Sequence, residues 1–220
     1  MNDRTIGLLL QSLPFMDSHR ILKILTPNHG LTTLIARHVA SKNNRLHALI
    51  TPFLVGEWVY RLDHKDIHPL KDGTVLQTFD QLKTNYSHLA VAGQIAQDLL
   101  RTQLPGKAAQ IPFDLACACL NKLPIFLEPL ALLASFRLKL LSYEGLLHFE
   151  PTCTRCGSPS IHFLCGESFC LQHTPSSPLL LSAQELPFLH AKSFSELAAK
   201  PIKKDTYERV EHLFKFLVNY

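Results

Sequence analysis

Cys153 and Cys156, two residues apart, and Cys170 and His173, spaced in the same way, are the residues of this chain best suited to chemistry. Thiolate and imidazole are the donors of a tetrahedral zinc site, and a two-residue gap lets both members of a pair reach one ion from a single turn. Two such hooks across a short loop supply four protein ligands. No position is then left for water, so the expected role of the metal is structural. Cys165 lies between the hooks and is a fifth candidate, but its four-residue gap from Cys170 fits the symmetric pattern less well. The favoured set is Cys153, Cys156, Cys170 and His173, with Cys165 as the alternative to His173. The competing reading is free thiols packed as small hydrophobes, which is the role expected of Cys117 and Cys119.

An enzymatic pattern overlaps the first hook. His148, Glu150 and Pro151 precede Cys153 and Cys156 in a manner that echoes the zinc deaminases, in which His-x-Glu is followed by Pro-Cys-x-x-Cys. In that chemistry the histidine and the glutamate come from one helix and the cysteines open another, so a substantial segment must intervene. Here Glu150 abuts the hook, and an extra residue separates Pro151 from Cys153. A zinc hydrolase is disfavoured as well, because four protein ligands leave no open coordination position and no separate catalytic carboxylate is visible.

The rest of the chain must fold to hold these ligands. Its 220 residues, 46% hydrophobic and 18% charged, suit a folded protein of one or two domains. Six cysteines, four of them in one segment, do not resemble a secreted disulfide framework, and a reducing cytoplasm suits thiolate ligands. The apolar run Ile6 to Leu10 is short, follows Asp3 and Arg4, and lacks a small-residue cleavage site, so no signal peptide is expected. The longest apolar region, Leu123 to Leu141, is interrupted by Pro124, Glu128, Pro129, Arg137 and Lys139. It cannot offer the ~20 clean residues of a membrane span. A cytoplasmic protein is expected.

Residues 4–72 alternate short apolar runs with turn residues, the pattern of a small all-β unit. Five strands are expected: Thr5 to Leu13, Arg20 to Thr26, Leu31 to Val39, Leu46 to Leu54 and Glu57 to Leu62. Pro27, Asn28, His29 and Gly30 form a hairpin turn in which Gly30 can take positive φ. Five short strands in this span suggest a Greek-key barrel of the OB type, a fold often used for oligonucleotides. From Gly73 the period changes. Val75, Leu76, Phe79, Leu82, Tyr86, Leu89 and Ala90 recur at helical spacing, predicting a helix over Thr74 to Arg101. Further helices are expected over Pro112 to Lys122 and from Pro129 to Tyr143, stopped by Gly145. Ser182 to Glu185 reads as a capping box limited by Pro187, and Asp205 with Glu208 caps a last helix through Val218. The expected architecture is α+β: an OB-type β-barrel over 1–72, then a helical domain over 73–220 with its zinc loop at 150–176.

The net charge of +4 permits an anionic partner without demanding one. Arg20, Lys23, Arg37, Lys42 and Arg45 cluster in the first 45 residues with His19, His38 and His47 interleaved, and only Asp3 and Asp17 oppose them.

The segment Ser18 to Leu31, then Ala36-Arg37 and Pro52-Phe53, then Phe136 to Leu141, Gly145 and the Cys153/Cys156 hook with Gly157 behind it, resembles the RecO family of bacterial recombination mediators. These features follow the family's order over nearly the whole chain. The chain departs from the family's usual zinc loop by having a single Gly166 before the third ligand and His173 in place of a fourth cysteine. The resemblance implies an amino-terminal OB domain, a helical domain and a zinc loop. It also implies a non-enzymatic role in DNA repair and recombination: binding single- and double-stranded DNA, annealing complementary strands, and with RecR loading RecA onto DNA coated by single-strand binding protein, whose acidic tail is a further partner. Arg20, Lys23, Arg37, Lys42 and Arg45 are then the phosphate contacts. Of Phe15, Phe53, Trp58 and Tyr60, at most one is expected to stack on bases, because aromatic residues on short strands are more often core. The competing class is an interaction scaffold with a structural zinc, in which the helical half captures a partner and the barrel has no useful DNA affinity.

Overall fold

A computed structural model describes residues 2–39, 46–62, 66–164, 166–177, 179–182, 188 and 201–218. The chain divides into two compact units, 1–124 and 125–220.

In the first unit, β1 (Asn2–Phe15), β2 (His19–Thr26), β3 (Gly30–Ala36), β4 (Leu54–Arg61) and β5 (Ile67–Thr78) close into a barrel in the order β1-β2-β3-β5-β4. Neighbouring strands are antiparallel except β3 and β5, which pair in parallel. This is the five-stranded OB-type arrangement. Alternate residues turn inward, so Leu9, Leu22, Ile24, Leu34, Leu54 and Trp58 fill the barrel. The indole N–H of Trp58 donates to the carbonyl of Gly7 at 3.0 Å, which satisfies the one polar group that this ring brings into the core.

Two expectations for the barrel are corrected. Leu46 to Leu54 is not a strand; His47–Ile50 form a short 3₁₀ turn. Leu46 and Leu49, three apart, both join the barrel core, a spacing that suits a helical turn and not period-two alternation. The missing strand is β5, which runs through Gly73 to Thr78, so the helix expected from Thr74 does not begin there. Val75 and Leu76 are adjacent and fall on opposite faces of that strand. Val75 packs against the core and Leu76 is 52% exposed, so their apparent helical spacing was coincidental.

A 3₁₀ turn over Asp80–Thr84 follows, and α1 (Tyr86–Thr102) starts where the Asn85 side chain accepts from the Ser87 N–H at 2.9 Å. Its stripe of Val91, Ala92, Ile95 and Leu99 is buried. With α2 (Gln110–Lys122) it packs on the outer side of β1 and β2, which explains why Leu8 and Leu25 are fully buried although they face away from the barrel interior. The α1–α2 loop is tied to the β2–β3 hairpin: Gly106 N–H donates to His29 O at 2.8 Å and Ala109 N–H to Pro27 O at 2.7 Å. Gly30 has φ +62°, as the hairpin requires, and a Cβ there would lie 2.2 Å from the Leu104 carbonyl oxygen.

In the second unit, α3 (Leu130–Tyr143) begins after Pro129, is buried nearly all round, and ends before Gly145 with φ +74°. Arg137, 3% exposed, lies in this helix. Its guanidinium sits 5.3 Å from the centroid of Phe214 and donates to the Tyr207 hydroxyl at 3.3 Å, both on α4 (Lys204–Val218). Val210, Leu213 and Phe214 are the buried stripe of α4. Between these helices in sequence, β6 (His162–Leu164), β7 (Glu167–Phe169) and β8 (Leu181–Ser182) form a small antiparallel sheet in the order β7-β6-β8. The proposed capping box at Ser182 to Glu185 extends beyond the described residues. Among the described residues no helix is long and apolar enough to cross a membrane.

Candidate metal centre and nucleic-acid interface

Each hook is a tight turn. Gly157, at φ +73°, donates its N–H to Cys153 O at 2.9 Å, and His173 N–H donates to Cys170 O at 3.2 Å. The β6–β7 hairpin carries the second hook back to the first: Thr154 N–H donates to Ser168 O at 2.9 Å, and the Ser168 hydroxyl accepts from Glu150 N–H at 2.9 Å. Ser168, fully buried, is thus the clasp between the two turns. The single Gly166, φ +87°, lies at the hairpin turn.

Cys153, Cys156, Cys170 and His173 are thereby brought together, with their four ligand atoms all within 4.8 Å of one another. Cys156 Sγ and Cys170 Sγ are 3.7 Å apart, while His173 Nδ1 is 3.7 Å from Cys153 Sγ and 3.4 Å from Cys170 Sγ. A tetrahedral zinc with bonds of the usual lengths needs S···S edges of about 3.8 Å and S···N edges of about 3.6 Å. The donor set and its spacing therefore fit one metal ion. Cys165 lies outside the described residues.

The backbone also tunes the ligands. Burial acts to raise the Cys153 thiol, but the backbone N–H groups of Cys170, Arg155 and Cys156, with the His173 ring, hold it down at about 6. Cys156 is lowered chiefly by the hydroxyl and N–H of Ser158. Burial raises Cys170, and the sulfurs of Cys153 and Cys156 raise His173. N–H groups aimed at sulfur are the shell expected around a thiolate ligand. Outside this cluster, burial pushes the Cys117 thiol up to about 12, in keeping with a packing role.

The barrel offers a different surface. A bulge between Leu9 and Gln11 of β1 puts Gln11, Leu13 and Phe15 on the outward face, opposite Lys23, Ile21 and His19 of β2. Across β2, Lys23 pairs with Thr33 and Ile21 with Ile35 of β3. The outer face beyond the helices therefore carries three registered rows: Gln11, Lys23 and Thr33; Leu13, Ile21 and Ile35; Phe15 and His19. Lys23 Nζ donates to Thr33 Oγ1 at 3.0 Å. Leu13 and Phe15 are 41% and 40% exposed, large for apolar side chains on a sheet. The His38 ring meets the His19 ring edge-on at 4.7 Å, and Ser18 Oγ lies 3.3 Å from Nδ1 of each.

Of the five basic candidates, Lys23 belongs to this face, and exposed Arg37 follows the end of β3. Arg20 lies on the opposite face of β2, level with Leu22 and Ile24 and paired with Ala36. Lys42 and Arg45 lie outside the described residues. Among the aromatic candidates, Trp58 and Tyr60 are core at 0% and 2% exposure, Phe53 is half-buried, and Phe15 is the exposed one. The bulge between Leu9 and Gln11 is what turns Leu13 outward to join Ile21 and Ile35 in the apolar row.

Residues 1–79 match the family described as Recombination protein O N terminal. This stretch resembles a RecO amino-terminal domain. The chain as a whole resembles proteins named DNA repair protein RecO. That of Chlamydia pneumoniae is 29% identical over 201 residues, covering 88% of this chain and 79% of its own. That of Chlamydia muridarum (strain MoPn / Nigg) is 28% identical over 219 residues, covering 94% and 92%. That of Anaeromyxobacter dehalogenans (strain 2CP-C) is 28% identical over 157 residues, covering 70% and 61%. These RecO relatives indicate DNA repair and recombination as the field of activity.

Proposed function

We propose that this chain is a RecO-type recombination mediator and not an enzyme. It binds single- and double-stranded DNA through the barrel, anneals complementary strands, and with RecR helps load RecA onto DNA coated by single-strand binding protein. The likeness to RecO over most of the chain supports the role. The observation that carries the DNA-binding part is the exposed outer face of β1–β3. Lys23 and Arg37 supply positive charge for phosphates, and the Phe15 and His19 rings beside the Leu13–Ile21–Ile35 row offer flat apolar surface to bases. Those are the two components of a single-strand platform, and the outer face of strands 2 and 3 is where OB folds bind oligonucleotides.

Cys153, Cys156, Cys170 and His173 would hold one metal ion, which we take to be zinc, and so tie together the two hooks of the second unit. When bound it supplies only cross-linking, since no position is left for a reacting water. The chain's own residues arrange the rest: Ser168 clasps the turns, and backbone N–H groups stabilise the thiolates. Contacts with RecR and with the acidic tail of single-strand binding protein, and a place on the nucleoid in the cytoplasm, follow from the same reading.

Annealing of complementary labelled oligonucleotides across a salt series tests it, comparing the native chain with a Lys23→Glu/Arg37→Glu variant. Acceleration that fades with salt and is lost in the variant is the expected result. Absence of annealing and DNA binding even at low salt would overturn the mediator reading in favour of a partner-binding scaffold.

A further inference from the structure

The Gln11–Lys23–Thr33 row ends at a cleft of ≈ 560 Å³ lined by Lys23, Thr33, Asp3, Tyr60, Asp66 and His68, among others. That volume lies within the ~300–1,000 Å³ typical of small-molecule sites. The walls are chemically unlike. Lys23 brings an ammonium, whereas Asp3 and Asp66 bring carboxylates.

Asp3 is held in place. Its Oδ2 accepts from the Tyr60 hydroxyl at 2.9 Å and lies 3.9 Å from His29 Nε2, and its Oδ1 accepts from Arg4 N–H at 2.8 Å. A carboxylate has about four lone-pair positions, so it retains capacity for a further donor. Burial, and then Asp3 itself, raise the Tyr60 phenol above its ordinary value, so it remains a donor to Asp3. The His68 ring stacks on that of Tyr60, with centroids 5.5 Å apart and planes 23° apart, which makes a flat wall.

A phosphate backbone running through this cleft would be repelled by both carboxylates. A single nucleotide would not, provided its phosphate meets Lys23 and its base turns N–H donors to Asp3 and Asp66. An exocyclic amino group is the base-edge donor that carboxylates read, as at N4 of cytosine. In a duplex that donor is already spent on the complementary base.

We propose that this cleft reads one unpaired nucleotide of single-stranded DNA, with its phosphate at Lys23 and its amino edge at Asp3 and Asp66, and that it favours cytosine over thymine, which presents a carbonyl at the same place. This rests on the reading of the barrel as a DNA-binding surface and adds a base preference and a single-strand preference to it.

The test is fluorescence anisotropy of the full chain with labelled oligo(dC) and oligo(dT) of equal length. Oligo(dC) is expected to bind roughly fivefold more tightly, a fraction of what a bidentate base contact gives. Asp66→Ala should bring the ratio of the two affinities toward one. Arg37→Ala should weaken both strands and preserve the ratio. Equal affinities with salt-dependent binding intact, or a ratio unmoved by Asp66→Ala, would overturn the pocket while leaving the barrel as a DNA-binding surface. No binding of either strand would overturn both readings. Free dCMP should compete poorly; if it binds as tightly as the strand, the cleft is a mononucleotide site and strand reading is wrong.

Discussion

Arg20 and Lys23, three residues apart on β2, point to opposite sides of the sheet: Arg20 pairs with fully buried Ala36, and Lys23 donates to Thr33 on the outer face at 3.0 Å. Their charges cannot serve one strand of DNA equally. Lys23→Ala is expected to weaken DNA binding and to reduce the salt slope of binding by about one. Arg20→Ala should leave that slope nearly unchanged. Titrations at four salt concentrations check both, and an equal fall in slope for the two variants would mean that Arg20 reaches the same phosphates.

The four-ligand cluster makes a stoichiometric prediction. The purified chain should carry one zinc, and Cys156→Ala or His173→Ala should reduce this to well below one, read by chelator-coupled zinc release. Cys165→Ala should retain the metal, because the other four ligand atoms already lie within 4.8 Å of one another. Loss of zinc should also lower the thermal stability of the second unit, since binding energy at such sites is folding energy, on the order of 10–16 kcal/mol in isolated zinc-finger peptides.

The four-residue cluster was legible in the sequence because ligand spacing encodes geometry directly: two hooks of fixed gap need only a hairpin to bring them together. His173 was preferred to Cys165 on spacing, and its Nδ1 lies 3.7 Å from Cys153 Sγ and 3.4 Å from Cys170 Sγ. The helices over 110–122, 130–143 and 204–218 were legible for the same kind of reason, with Pro129 and Gly145 marking where one of them starts and stops. The barrel was legible as a class but not in its parts. Leu46 and Leu49 plug it from a 3₁₀ turn, and β5 mimics a helix because Val75, Leu76 and Phe79 happen to be spaced like one. Likewise five basic residues close in sequence gave no sign of which side of a strand each occupies. Alternation fixes that only once it is known which residues of the strand face the core.

Gly30 ties the β2–β3 hairpin to the α1–α2 loop. Its φ of +62° and the Leu104 carbonyl 2.2 Å from any Cβ leave no room for a side chain. Gly30→Ala should destabilise the first unit by about 2–4 kcal/mol, through backbone strain together with displacement of the Leu31 N–H to Leu104 O bond. Denaturant unfolding followed by Trp58 fluorescence reports it. A change under 0.5 kcal/mol, about the scatter of surface substitutions, would show that the loop yields easily.

Metal affinity should fall in acid. Coordination needs three thiolates and a neutral imidazole. Cys153 is already held at about 6, but burial raises Cys170, which brings a proton that binding must expel, and the neighbouring sulfurs shift His173 toward its protonated form. Where such a group is protonated in the free protein, each unit fall in pH costs about tenfold in affinity per proton released. Competition against a chelator of known pH dependence should therefore give at least 100-fold weaker binding at pH 5.5 than at pH 7.5. An affinity flat over that range would mean that the ligands are already deprotonated before metal arrives.

Phe15 is the aromatic residue that the outer face exposes, and it sits opposite His19 at the end of the apolar row. Trp58 and Tyr60 lie at 0% and 2% exposure in the core, so substituting them would alter folding before it altered binding. Stacking of one base on one ring is worth ~1–3 kcal/mol. Phe15→Ala should therefore weaken single-strand binding by roughly ten- to a hundredfold while leaving the thermal midpoint of the first unit within a few degrees, since a ring already 40% exposed gives up little burial. Because stacking carries no net charge, the salt slope should stay that of the native chain, which separates this variant from Lys23→Ala. A Phe15→Ala protein that binds normally would assign single-strand contact to the charges alone, and one that loses salt dependence as well would mean that the hairpin itself had moved.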